Sequence, residues 1–247
     1  MKRRRMHWTL LALVGVTLLS GCTQVETQYK YAGPLPRPDA ILVYNFAATP
    51  GEVKLDSTLL TNVSGRINQA PQPLEEIRVG QKVADALAQK LVEEIRSMGL
   101  PAERGAGPLP ETSRVLMIEG QFYSINQGNQ AERVSIGLGA GRSDVKIHAE
   151  AFDRTHTGRR LVAEYEVDAA GSRQPGMAET MGVGALAGNL AMSAAVSGAG
   201  QMGSEAFAQT VEADAKRGAA KLAEQLGAYF AQQGWISPMA VPQDVLP

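Results

Sequence analysis

One cysteine, Cys22, and three histidines are all that this 247-residue chain offers in thiols and imidazoles. A lone cysteine has no second thiol to pair with it or resolve it, which excludes a disulfide framework and argues against redox chemistry. Neither His148 nor His156 has a cysteine or another histidine at ligand spacing, so no metal site is expected. No charge dominates: the formal net charge is −1, and the charges are scattered rather than gathered into the basic footprint that nucleic acid requires. No serine stands in a G-x-S-x-G elbow. Glu75-Glu76 and Glu93-Glu94 are solvated neighbours on or beside a helix. These absences weigh against an enzyme, and no cofactor is expected.

What is present begins at the N-terminus. Residues 2–5 read Lys-Arg-Arg-Arg, and the apolar run from Trp8 to Leu19 covers 12 residues, too short to cross ~30 Å of hydrocarbon. A basic start and a short apolar run have the form of a signal peptide. The run ends in Leu19-Ser20-Gly21-Cys22-Thr23, which resembles the lipobox of bacterial lipoproteins. That resemblance implies cleavage after residue 21, loss of His7 with the leader, lipidation of Cys22 and firm attachment to a membrane. Thr23 stands where relatives kept in the inner membrane carry Asp, which implies the periplasmic face of the outer membrane. Cleavage would remove four of the 24 basic residues and none of the 25 acidic ones, leaving 226 residues with a formal charge of −5.

Composition and length suit a single core with appendages. Residues 22–39, with Pro34, Pro36 and Pro38, read as a lipidated cysteine and a short tether. Residues 40–234 form one domain containing a Gly/Ala-rich segment at 176–204, and residues 235–247, with three prolines, read as a surface tail. Ala40–Ala47 is an apolar run fit for a buried strand, and "EVKLDSTLL" is a weaker one. From Glu75 to Met98 the period is helical: Val83, Leu87, Leu91, Ile95 and Met98 make one stripe, and Gly99 and Pro101 stop it.

Arg114–Ile125 is apolar on both faces and reads as a central strand. Asp144–Phe152 alternates, with Val145, Ile147, Ala149 and Ala151 on one face and Lys146, His148 and Glu150 on the other. A hairpin loop containing Gly158 leads into a returning strand, with Leu161, Ala163, Tyr165 and Val167 inward. A last helix runs from about Ser204 to Gln233, with Val211, Ala215, Leu222, Leu226 and Phe230 as its apolar stripe and Gly234 as its cap. The expected fold is α+β or α/β: a mostly antiparallel sheet with two packed amphipathic helices.

The stretch "GLGAGRS" poses the one question of chemistry. A phosphate loop needs its glycines after a strand and at a helix start, where backbone N–H groups and the dipole meet the anion. Gly137, Gly139 and Gly141 precede a strand instead, and no Gly-Lys-Ser/Thr completes the motif. A bulge or tight turn is the better account. Asn129 and Arg133 nearby either contact an anion or glycan or satisfy loop backbone groups.

Gly128, Asn129 and Arg133, then Gly137 to Val145, then Asp153 and Gly158 carry a resemblance. They are similar to an uncharacterised family of bacterial lipoproteins that joins a G-N-x-x-x-R element to a G-[FL]-G-A-G-x-S-x-V strand and a D-x-x-x-G turn. The likeness spans roughly residues 40–232, and the family has no established activity. In fold alone, the strand, helix and meander resemble periplasmic lipoproteins of the curli-export type and penicillin-binding-protein activators.

Thr180–Ser204 is 25 residues without a charge. It is mostly Gly, Ala and Ser, too weakly apolar for a spanning helix. Read as a helix, Gly184, Gly188, Ala191 and Ala195 present small-xxx-small surfaces. Three readings stay open: a loose glycine-rich excursion, close packing against another subunit or the chain's own helices, and membrane insertion. The functional expectation is therefore a non-enzymatic, outer-membrane-anchored lipoprotein whose periplasmic domain binds an envelope protein partner. The alternative is a subunit of a homo-oligomeric export channel or membrane-inserting assembly.

Overall fold

The computed structural model describes residues 23–56, 72–106, 114–129, 132, 140–155, 158–171 and 203–238. It is an α+β fold, a seven-stranded sheet with two helices on one face. The strands are β1 (Thr23–Tyr29), β2 (Ala40–Val43), β3 (Val53–Lys54), β4 (Ala102–Arg104), β5 (Val115–Asn126), β6 (Asp144–Thr155) and β7 (Gly158–Ala170). The helices are α1 (Gln72–Ser97) and α2 (Gly203–Gln232). The sheet order is β1-β7-β6-β5-β2-β4, with β3 also beside β5. The long strands β5, β6 and β7, with β1, pair antiparallel, and the short β2, β3 and β4 join in parallel. Among the described residues no helix is long and apolar enough to cross a membrane.

Periodicity explains the layers. Val83, Leu87, Leu91 and Ile95 of α1 and Val211, Ala215, Leu222, Leu226 and Phe230 of α2 are fully buried against the sheet and each other. On the sheet, Val145, Ile147, Ala149 and Ala151 of β6 face these helices. Gly218 of α2 lets that helix lie close: a Cβ there would stand 3.2 Å from Ile147 and 3.4 Å from Ala169.

Both helices end where glycine was expected. Gly99 and Gly234 take φ of +83° and +72°, conformations that other residues reach only at a cost. After α2, Gly234 N–H donates to Ala231 O at 3.0 Å and Trp235 N–H donates to Phe230 O at 2.9 Å, a Schellman pair. The Trp235 ring stacks on Phe230 with centroids 5.5 Å apart.

Three expectations are corrected. Residues 22–39 were read as a tether, yet Thr23–Tyr29 is an edge strand registered residue by residue on Ala163–Ala169 of β7. The chain stays docked beyond it, for Lys30 N–H donates to Val162 O at 3.0 Å and Leu35 N–H donates to Gln233 Oε1 at 2.7 Å. The prolines lie past the strand, and Val25 and Thr27 alternate inward ahead of them. The tail was expected to start at residue 235, yet Trp235 is buried and its Nε1–H donates to Leu35 O at 3.1 Å. Leu161 was placed inward, yet the ladder skips Val162 between the Ala151–Ala163 and Phe152–Leu161 pairs. That bulge turns both Val162 and Ala163 toward the core and sends Leu161 to the opposite face with Leu42, Val115, Met117 and Phe152. The weak strand at 52–60 is only the two residues of β3, and positions past Asp56 lie outside the described residues.

Burial also acts on the phenols. Tyr165 and Tyr229 lie in the core, and Tyr29 stacks over Tyr229 at 5.6 Å. Taking these hydroxyls out of water disfavours phenolate, which pushes Tyr229 up to about 12 and Tyr165 well above its ordinary value.

Candidate functional site

The helices cover one face of the sheet; the other carries the small apolar cluster around Leu42, Val115, Met117 and Phe152 at one end and is polar across the rest of β6, β7 and β1. Alternation puts Lys146, His148 and Glu150 of β6 on that open face, and the register sets them against Asp168, Glu166 and Glu164 of β7. β1 continues the rows with Gln24, Glu26 and Gln28, and β5 adds Glu119 and Gln121 on the other side. Period two in four neighbouring strands therefore gathers carboxylates from separate parts of the chain.

His148 stands at the centre. Its Nδ1 lies 2.7 Å from Glu166 Oε1, and its Nε2 lies 3.8 Å from Glu150 Oε1. The half-exposed Tyr123 ring covers the imidazole, with centroids 5.9 Å apart. His148, Glu150 and Tyr123 line an open hollow of about 420 Å³ with Tyr44, Asn45 and Gln121, and Glu166 holds the imidazole from β7. Gly120 sets the floor, because its bare Cα lets β5 approach the His148 carbonyl and the Phe46 ring where a Cβ would collide with both. Lys30 pairs with Glu164 at 2.7 Å and Arg159 pairs with Glu119. An imidazole between carboxylates, roofed by a phenol, is equipped to hydrogen-bond a polar or cationic group. Among the described residues no cluster of three His, Cys, Asp or Glu side chains is set to hold a metal.

The residues singled out by sequence lie elsewhere. Asn129 N–H donates to Gly141 O at 2.9 Å, and its Oδ1 accepts from Glu132 N–H at 3.2 Å, so this side chain serves the chain's own turn. Gly141 has φ of +63° and Gly128 has φ of +73°; a Cβ on Gly128 would run into the Gly141 and Arg142 backbone. A left-handed backbone at both positions, and at Gly128 the close Gly141 and Arg142 backbone, account for these glycines. Cys22, Arg133, Gly137, Gly139, Gly184, Gly188, Ala191, Ala195 and His156 lie outside the described residues. Sequence reasoning passed over His148 as a solvated histidine. The usable signal was the matched alternation of Lys146-His148-Glu150 with Glu164-Glu166-Asp168, meaningful only once the strands are paired in register.

The model of a family described as a domain of unknown function, DUF4410, matches residues 41–188, which is 148 of the 247. No curated protein matches the chain. Among solved structures, the chain is similar to the PelC dodecamer from Paraburkholderia phytofirmans, at 11% identity, covering 86% of this chain and 97% of that one, with a TM-score of 0.38. It is also similar to a DUF330 protein from Xanthomonas campestris, at 12% identity, covering 81% and 91%, with a TM-score of 0.34.

Proposed function

The chain belongs to DUF4410, a family defined by a domain of unknown function, and from that premise we propose a lipid-anchored, non-enzymatic binding domain of the bacterial cell envelope. The observation that carries the binding role is the asymmetry of the sheet. One face is sealed by α1 and α2, while the other, beyond the small apolar cluster around Phe152, stays open and polar and is hollowed around His148. An enclosed cleft with an activated nucleophile would suit catalysis; an open, shallow hollow of hydrogen-bonding groups suits recognition of a partner. The anchor rests on Leu19 to Cys22, and Thr23 points to the outer membrane, with the domain in the periplasm.

A photo-crosslinking residue at Tyr123 in growing cells tests the binding role, beside the same residue at Glu93 on the exposed side of α1. A discrete adduct from position 123 and none from 93 is expected; equal labelling at both, or none at 123, refutes the assignment of the face. The mass of the N-terminal peptide tests the anchor. Acyl mass on Cys22, lost in Cys22→Ala, is expected, and an unmodified Cys22 refutes it.

The uncharged Thr180–Ser204 supports a second reading, a homo-oligomeric channel subunit. In mild detergent a large discrete complex that collapses when residues 180–202 are deleted, or in Ala191→Leu, would favour it. A monomer in every sample would remove it.

A further inference from the structure

The proposed anchor and the fold meet with no slack between them. Thr23 is the first residue of β1 and is already paired with Ala169, and Cys22 is its neighbour, one Cα step of ~3.8 Å away. A flexible tether of 17 residues would give an r.m.s. reach of roughly 20–25 Å, enough to lift a domain clear of a bilayer. A single peptide link cannot.

One end of the sheet must therefore lie at the lipid, and the register says which. The row Thr23–Ala169–Val145–Ile125–Val53 crosses five strands, about 19 Å of sheet at ~4.8 Å per strand. At this end Lys54, Arg142 and Lys146 border a single polar groove, where they outnumber Asp144 and Asp168. Farther along the same face come Glu166, Glu150, Glu164 and Glu119, of which Glu164 and Glu119 are paired with Lys30 and Arg159.

Helix α1 contributes apolar side chains to the same end. Gly80 packs on Val53, with a Cβ there 3.6 Å from it, and the C-terminal end of α1 reaches β4, where Arg96 Nε donates to Ala102 O at 2.6 Å. The helix therefore runs toward the far end, and its start projects past the Val53 row. Ile77 and Leu74 stand roughly 5 and 9 Å farther out along its axis, and they are 40% and 53% exposed. Two large exposed apolar side chains, the three cations of the groove and the residue proposed to be lipidated share one end of the molecule, where Glu75 between Leu74 and Ile77 is paired with Arg78.

We propose that this end, with Thr23, Lys54, Arg142, Lys146, Leu74 and Ile77, is a membrane-docking surface that rests on the phosphate headgroups of the anchoring bilayer. The inference rests on the lipidation of Cys22 proposed above. Cations meet phosphates, Leu74 and Ile77 enter the interface, and the acidic rows are held away from anionic lipid. The strands then rise from the surface, and the His148 hollow stands about 13 Å above Asp144, clear of the bilayer and open to the periplasm.

The acylated full-length protein is reconstituted into phosphatidylethanolamine–phosphatidylglycerol vesicles that carry a headgroup nitroxide lipid. A fluorophore is attached to a cysteine introduced by Lys54→Cys or, separately, by Arg159→Cys, about 35 Å away at the opposite end of the sheet. Intact mass is read on each sample. Quenching at position 54 several-fold above that at 159 is expected. Equal quenching at both positions with the acyl mass present overturns the docking surface and leaves the anchor standing. Absence of the acyl mass overturns the anchor, and the docking surface with it.

Discussion

Replacing Trp235 with alanine should be among the most damaging single changes available to this fold, although the residue lies where a tail was expected to begin. Its ring is 6% exposed, stacks on Phe230 at 5.5 Å and meets Tyr229 edge-on at 6.1 Å. Truncating a buried tryptophan to alanine costs about 3–5 kcal/mol. The Leu35 carbonyl also loses its indole donor, and an unmet buried acceptor adds about 1 kcal/mol or more. For a chain of this length each kcal/mol lowers Tm by roughly 2–4 °C, so Trp235→Ala should fall by about 10 °C or more. Trp235→Phe keeps the stack and loses only the donor, so it should cost about 1–2 kcal/mol. Urea unfolding followed by far-ultraviolet circular dichroism is the assay, because Trp235 is the one tryptophan beyond residue 21 and its fluorescence leaves with it. An Ala variant within ~1 kcal/mol of wild type would refute the claim that Trp235 pins Leu35 to the end of α2.

Gly120→Ala should destabilise by about 1–3 kcal/mol in thermal melts, since the His148 carbonyl and the Phe46 ring occupy the space a methyl needs. Gly234→Ala meets nothing within 4 Å and should cost only the left-handed backbone, about 1–2 kcal/mol. Gly128→Ala, with similar φ but backbone in its way, should unfold at clearly lower urea than Gly234→Ala. High pH should unfold the protein through its buried phenols. The Tyr229 phenol is raised in the fold from 10.0 to about 12, so its contribution is complete below pH 10 and is lost as pH rises toward 12. Urea midpoints should fall across that window while phenolate absorbance appears together with unfolding. A full phenolate signal from protein that is still folded would contradict the burial of Tyr165 and Tyr229.

Much of the fold was legible because the relevant physics is local. The stripe from Val83 to Met98 and the one from Val211 to Phe230 follow from 3.6 residues per turn, and both are buried as their spacing demands. Gly99 and Gly234 announced the helix ends because only glycine takes a left-handed cap cheaply. The alternation from Val145 to Ala151 identified the inward face of β6 without any partner strand in view.

Other features depend on contacts between residues far apart in the chain, and no window of sequence contains them. Thr23–Tyr29 looks like a linker until β7 presents an unpaired edge 140 residues later, whose backbone groups pair with it. Trp235 follows a helix cap and precedes prolines, and only the approach of Leu35 and Phe230 makes its position interior. The bulge at Val162 is invisible in an alternating run, yet it moves Leu161 to the other face. The candidate site is of the same kind. His148 and Glu150 of β6, Glu166 of β7 and Tyr123 of β5 are each unremarkable alone, and register alone brings them together at the hollow. The sequence by itself determined the periods, the caps and the apolar faces, because those depend on neighbours three or four residues away. Tertiary structure decided which edge takes β1, what Trp235 covers and where the carboxylates converge, because hydrogen-bond pairing and close packing act across the whole chain.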